Sequence, residues 1–194
     1  VTENPSAEVH DLDYPLVRRV AKGDHQAFAN LLQRHQQRVF RLAYRLLKNR
    51  PEAEDAAQEV FLKVYQHAGR FEPTGTVAAW INRIAANHCL NRLRSRSAHP
   101  EVLQDEIEPG SEGGFPFSHA TTPLADLEGR ELAVKLQEAL GCLPENQRQA
   151  LVLKRFGDLS YREIAELLGV SPEAVDGLIK RARAALRKAL QDYV

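Results

Sequence analysis

The sequence predicts an all-α protein of two small helical bundles joined by a flexible acidic linker, the second carrying a helix-turn-helix. Three observations carry that reading. Strand signals are weak throughout, while runs rich in Ala, Leu, Arg, Glu and Gln repeat apolar residues at helical spacing. The pattern stops between Ser95 and Pro123, where Pro, Gly and acids dominate. It resumes in a second block whose segment 164–183, IAELLGVSPEAVDGLIKRAR, has the spacing of a helix-turn-helix.

Composition narrows the class. With 194 residues, 43% hydrophobic and 27% charged, the chain reads as a soluble globular protein. No apolar run approaches the roughly 20 residues of a membrane span, and the polar start VTENPSAEVHDLDYP is not that of a signal peptide. Cys89 and Cys142 are too few for a disulfide framework, which fits a cytoplasmic setting. The formal net charge is zero but unevenly spread: +4 over residues 1–94, −5 over 95–126 and +1 over 127–194. Any contact with nucleic acid must come from local patches or with a partner's help.

Within the first block, Asp24 is placed as the N-cap of a helix that buries Ala27, Phe28, Leu31 and Leu32 and runs on through Val39, Phe40, Ala43, Leu46 and Leu47. Asn49-Arg50-Pro51 breaks it. Pro51 suits the first turn of the next helix, and Glu52, Glu54 and Asp55 suit its positive end. Over residues 51–67, Ala53, Ala57, Val60, Val64 and Ala68 form a core face flanked by Phe61. Asp55, Gln58, Glu59 and Leu62 lie opposite, at i, i+3, i+4 and i+7. A Leu among polar and acidic residues suits the docking of a partner's basic helix; a solvated face explains it equally well.

After a turn at 71–76, a helix from about Val77 to Arg96 buries Val77, Ile81, Ala85 and Cys89, with Trp80 and Ile84 beside them. Trp80 is read as core rather than as a base-stacking platform. Asn87, Asn91 and Arg94 share another face, and Arg83, Arg92 and Arg96 add charge. Amides that bond base edges and arginines that hold phosphates suit extended single-stranded nucleic acid; a solvated basic face is the alternative. His88 and Cys89 point about 100° apart and lack a second ligand pair, so no metal site is expected. No catalytic constellation stands out, and no cofactor is expected.

In the helix-turn-helix, Ala165 is the small residue and Gly169 the turn, while Ile164, Leu168, Val170, Val175 and Leu178 supply the apolar lock. Ser171 is placed to cap the second helix, with Pro172 at its first position and Glu173 behind it. Val175, Ile179, Ala182, Leu186 and Ala189 form its inner face; Asp176, Lys180, Arg183 and Arg187 share an outer one. From Leu178 to Lys188 there are five bases and no acid, a phosphate-contacting patch. Asp176 is read as an ion pair with Lys180 in preference to an acceptor for a cytosine amino group.

These pieces, in this order, resemble the extracytoplasmic-function (ECF) sigma factors of the sigma-70 family, over roughly residues 14–97 and 127–192. GDHQAF resembles the start of sigma region 2, AEDAAQEVFLKVY the helix that docks on polymerase, and WINRIAANHCLNRLR the stretch that melts the −10 element. The segment LPENQRQALVLKRFGDLSYREIAELLGVSPEAVDGLIKRAR resembles region 4, which reads the −35 element.

The resemblance implies a tail at 1–13, a region 2 domain at 14–97, a linker at 98–126 and a region 4 domain at 127–194. It implies docking on core RNA polymerase (the β′ clamp helices and the β subunit) through Asp55, Gln58, Glu59 and Leu62, with Phe61 packing behind. It assigns −10 contacts to Asn87, Asn91, Arg92 and Arg94. It assigns −35 contacts to Ser171, Glu173, Ala174, Asp176, Gly177, Lys180, Arg181 and Arg183, with Ser160, Tyr161 and Glu163 as scaffold. Many members carry a base where Asp176 and Leu178 stand, so those contacts are missing here. Promoter DNA and an anti-sigma factor are the further partners implied, and no membrane insertion is. A free-standing helix-turn-helix repressor and a helical nucleic-acid enzyme are the rival readings; the 51–67 helix argues against the first, the lack of clustered acids against the second.

Overall fold

The computed structural model describes residues 11–72, 75–98, 134–136 and 138–191, and every regular element among them is helical. In chain order these are α1 (Tyr14–Val20), α2 (His25–Leu47), α3 (Arg50–His67), a single 3-10 turn (Ala68–Arg70), α4 (Val77–Ala98), α5 (Glu145–Phe156), α6 (Tyr161–Leu168) and α7 (Pro172–Ala189). Residues 138–141 are helical as well. The boundary expected between linker and second domain lies outside the described residues.

Local chemistry sets most of the helix ends. The Asp24 carboxylate accepts from Ala27 N at 2.9 Å and starts α2, as its sequence position foretold. That bond, with Arg19 next in importance, holds the Asp24 carboxyl below its ordinary range. Lys48 ends α2 in the left-handed region at φ 58°, and the Asn49 side chain accepts from Glu52 N to start α3, with Pro51 in its first turn. The α4 N-terminus has two caps. Thr76 Oγ1 accepts from Ala79 N at 3.1 Å, and the Asp11 carboxylate, 66 residues upstream, accepts from Val77 N.

Two features depart from the sequence reading. Helix α1 was not foreseen: it has seven residues, its N-cap Asp13 makes no side-chain cap bond, and it is held by packing. Val17 and Val20 are buried, while Asp13 turns away to pair with Arg34 and with His35 Nε2 at 2.7 Å. Helix α4 also extends to Ala98, so the helical pattern outlasts Ser95. Arg96, expected to add charge to a DNA-facing surface, instead pairs with Glu52 and ties the end of α4 to the start of α3.

The core begins where α2 crosses α3 and α4. Leu31, Leu42 and Leu46 of α2, Val60 of α3 and Ile81 and Leu90 of α4 are all sealed from solvent. Trp80 packs against this core, its ring tilted on Phe71 at 5.1 Å between centroids. The second helical group is built on Leu153, Leu159, Ile164 and Ile179. Helix α5 packs on α7 within that group and on α2 of the first, so the buried apolar cluster runs through both.

A buried histidine lies between α3 and α4. Lys63 Nζ is 2.9 Å from His88 Nδ1, while His88 Nε2 stands 3.5 Å from a Glu59 carboxylate oxygen. Burial, and after it the charge of Lys63, push the imidazole below its ordinary pKa of 6.5, with Glu59 opposing. The unfolded chain therefore takes up this proton first as pH falls, and folding stability drops with pH through the range near 6.5. In His88→Gln, which keeps an acceptor for Lys63, thermal unfolding should lose part of its pH dependence between pH 7 and 5. Separately, Leu31→Ala should cost about 2–5 kcal/mol in urea unfolding, because the side chain is fully enclosed.

Candidate polymerase and promoter interfaces

Three surfaces emerge, one on α3, one on α4 and one on α7. On α3, Ala53, Ala56, Val60, Phe61 and Val64 face the core, which turns Asp55, Gln58, Glu59 and Leu62 outward as the periodicity required. Leu62 is 60% exposed, among the most exposed large apolar residues described. It does not stand alone. Between α2 and α3 lies a groove of about 430 Å³ with Phe28, Leu32, Phe40, Ala57, Phe61 and Leu62 in its apolar lining. Gln36, Gln37, Glu54 and Gln58 rim it. Only the α3 wall was legible as a surface. Phe28 and Leu32 read as core by spacing and are partly buried, packing on the core with one side and lining the groove with the other. An apolar floor with polar, acidic edges suits an amphipathic partner helix with basic flanks.

On α4, burial of Ile81, Ala85, Ala86, Cys89 and Leu90 leaves a polar stripe of Arg83, Asn87, Asn91 and Arg94. Asn87 and Asn91 are exposed, and Asn91 Oδ1 accepts from Arg94 Nη1 at 3.1 Å. Arg92 is different: it is half-buried, and its Nη1 is enclosed without a hydrogen-bond partner. It lies close enough to lower the pKa of His88 and to oppose the burial that pushes the Cys89 thiol up to about 12. Its charge therefore acts on the interior as well as on the stripe.

The α6–α7 pair has the geometry of a helix-turn-helix. Ser160 and Glu163 form a reciprocal capping box at the start of α6. Ala165 is buried under α7, and Gly169 turns the chain at φ +67°, a conformation that favours glycine. The Ser171 hydroxyl accepts from Ala174 N at 3.2 Å and starts α7, with Pro172 in its first turn. Bonds from the backbone N–H of Glu173 and from Ser171 hold the Glu173 carboxyl below its ordinary range. Ile164, Val175 and Leu178 are buried as the apolar lock, and Ile179 and Ala182 continue the inner face. Val170 and Ala189, placed with them by spacing, are exposed: Val170 follows the turn, and Ala189 lies where α7 runs past its neighbours.

The outward side of α7 carries the candidate readers. Glu173, Ala174, Lys180, Arg181 and Arg183 are exposed, and Asp176 and Gly177 half-buried. Asp176 and Lys180 form the expected i, i+4 pair at 2.8 Å, which raises the Lys180 pKa through that bond. A Cβ at position 177 would meet the movable end of the Arg181 side chain at 3.4 Å, close to an ordinary contact distance. Leu178 is part of the core, which accounts for the absence of a base there. No cluster of potential metal ligands occurs among the described residues.

Comparison with known proteins agrees with this geometry. The chain matches the family described as Sigma-70 region 2 over residues 31–99 and Sigma-70, region 4 over residues 133–186. It is 34% identical to the ECF RNA polymerase sigma factor SigW of Bacillus subtilis, covering 91% of this chain and 95% of that one. It is also 34% identical to the RNA polymerase sigma-H factor of Pseudomonas aeruginosa, covering 92% and 94%. The solved structure of CnrH in complex with the cytosolic domain of CnrY superposes with a TM-score of 0.62 at 26% identity, covering 94% of this chain and 99% of that one. The sigma factor RpoE of Bartonella quintana, solved with the anti-sigma factor NepR, shares the fold, with a TM-score of 0.61 at 23% identity and coverage of 84% and 96%. With two such relatives matched over nearly their whole length, and both helical groups accounted for in order, the chain belongs to the ECF sigma factors of the sigma-70 family.

Proposed function

We propose that the chain directs core RNA polymerase to promoters through three separate faces and helps to melt the −10 region, while the polymerase does the chemistry. The observation that carries this reading is the groove between α2 and α3, with Leu62 raised at its edge. A stand-alone DNA-binding protein has little use for an exposed apolar groove, rimmed by Glu54 and three glutamines, on a helix pair apart from the proposed DNA contacts. The occupant proposed is a helix of the polymerase β′ clamp, gripped by Leu62, Gln58, Glu59 and Asp55.

The α4 stripe is the proposed −10 contact. Asn87 and Asn91 are free of helix-capping duties and exposed, which suits hydrogen bonding to an unstacked base. The proposed −35 contact is α7, where Lys180, Arg181 and Arg183 hold phosphates. Ser171 contributes there by starting the helix. The pairing of Asp176 with Lys180 leaves fewer unopposed positive charges on the recognition helix. This accords with a factor that depends on polymerase for much of its hold on DNA.

An anti-sigma factor is the proposed regulator, by analogy with RpoE and the anti-sigma factor NepR of Bartonella quintana. It would compete for the same exposed faces. No helix among the described residues is long and apolar enough to cross a membrane, and the proposed place of work is the cytoplasm, beside polymerase.

Two variants separate the faces. Leu62→Ala should weaken binding to core polymerase about 10-fold, the loss of one buried apolar anchor, with unchanged circular dichroism. Wild-type affinity in the folded variant would remove α3 from the interface. Asn87→Ala should leave that affinity unchanged and lower open-complex formation on duplex promoters several-fold, read by permanganate footprinting. Normal melting would remove Asn87 from the −10 contact.

A further inference from the structure

Glu59 stands on the border between two faces of α3. Counted along the helix, it lies about 20–40° from Glu52 and Lys63 on one side and about 40–60° from Asp55 and Leu62 on the other. Asp55 and Leu62 belong to the outward face. Glu52 and Lys63 face α4, where Glu52 pairs with Arg96 and Lys63 Nζ lies 2.9 Å from His88 Nδ1. A Glu and a Lys at i, i+4 are neighbours on a helix surface. Here an imidazole stands between them, with His88 Nε2 3.5 Å from Glu59 Oε2. The His88 side chain is 8% exposed and that of Glu59 54%. A buried ring on α4 thus stands behind one of the four acids and amides proposed to grip polymerase.

The order of protons along this row follows from the donors. A lysine ammonium can only donate, so Nδ1 accepts, and the neutral ring carries its proton on Nε2. That nitrogen is enclosed and has no hydrogen-bond partner; the Glu59 oxygen is near it but too far for a firm bond. With the ring neutral, Glu59 is therefore free to reach outward. A proton from solvent on Nδ1 changes both contacts. Nδ1 can no longer accept from Lys63, and the ring becomes a cation. The charged groups that act on it are Lys63 and Glu59 from α3 and Arg92 one turn along α4, and Glu59 is the one anion among them. A charge-assisted bond of about 2.7–2.9 Å would bring the Glu59 carboxylate in toward α4.

We propose that His88 is a positioning residue for polymerase docking: neutral, it leaves Glu59 on the outward face of α3, and protonated, it draws Glu59 back against α4 and loosens the grip on polymerase. The inference rests on the reading of Asp55, Gln58, Glu59 and Leu62 as the polymerase contact. The sign follows from reciprocity. A basic partner group that takes up Glu59 removes the one charge that favours a proton on His88, so binding makes the ring harder to protonate and protonation weakens binding. Burial, and after it Lys63, already hold the ring below its ordinary value of 6.5. Docking is therefore intact at neutral pH and weakens as pH falls below that value.

The test titrates the full chain, labelled at the exposed Cys142, with core RNA polymerase at pH 7.5 and pH 5.5, with circular dichroism confirming the fold at both. The polymerase's own titration is common to all variants, so the loss of affinity on acidification is compared between them. Wild type should lose several-fold more than His88→Gln, whose amide can accept from Lys63 but cannot gain a charge. Glu59→Gln should bind more weakly at pH 7.5, and in that background His88→Gln should no longer alter the acid loss. Equal acid losses in folded wild type and His88→Gln, with Glu59→Gln weakened, would overturn the proposal and leave the docking reading standing. Wild-type affinity of Glu59→Gln at both pH values would remove Glu59 from the interface, and the proposal with it.

A second arm needs neither polymerase nor a change at His88. In the free full chain, the carbon-13 NMR signal of the Glu59 carboxyl should step at the pH where the His88 ring titrates, and Glu59→Gln should lower the pKa of that ring. A Glu59 signal indifferent to the ring's titration would overturn the proposal, even where His88→Gln fails to fold.

Discussion

Helix α4 must satisfy two opposed demands along one length, and much of the molecule follows from that. Its inner face, from Val77 through Ile81, Ala85 and Cys89, closes the core against α2 and α3. Its outer face keeps amides and guanidinium groups where a nucleic-acid strand could reach them. Such a helix shows little amphipathic contrast of the ordinary apolar-against-charged kind, because amides and alanines fill the space between. It is held at both ends by tertiary bonds: the Asp11 carboxylate at Val77 N, and Glu52 on Arg96. These bonds tie both ends of the helix that carries the stripe from Arg83 to Arg94 to its neighbours, which would help to position the base contacts proposed there.

The three proposed faces divide the work by chemistry. The α2–α3 groove offers apolar area edged by three glutamine amides and the Glu54 carboxylate, suited to protein. The α4 stripe offers amides between two arginines, suited to unpaired bases and their phosphates. Helix α7 offers exposed bases on a helix started by Ser171 and Pro172, suited to a duplex groove. A chain with no net charge can serve all three because each patch is local and the opposite charges lie elsewhere. The same charges explain how the second group folds back on the first: Glu163 and Glu166 lie against Arg83, and the end of α6 against Arg94.

Much of this was legible in the sequence, for reasons that can be named. The caps at Asp24 and Ser171 act over three residues, so local pattern shows them, whereas Asn49, read only as part of a helix break, also caps α3. The outward turn of Asp55, Gln58, Glu59 and Leu62 follows from helical period alone, as does the burial of Val175 and Leu178. Other features depend on distant residues. Helix α1 draws its stability from packing on α2 rather than from a cap. The groove needs Phe28 and Phe40 brought beside Phe61 and Leu62, which no single helix pattern reveals. The exposure of Val170 follows from the turn geometry after Gly169. Pairing of Arg83 with Glu166, 83 residues apart, has no signature in either segment.

The central claim, that polymerase is held in the groove between α2 and α3, is tested most directly by hydroxyl-radical footprinting of the chain alone and in complex with core RNA polymerase. Leu62 and Phe28 should be oxidised in the free protein and protected in the complex, while Tyr161 at the start of α6 stays no less reactive. A stable complex in which Leu62 is oxidised as readily as in the free protein would contradict the account.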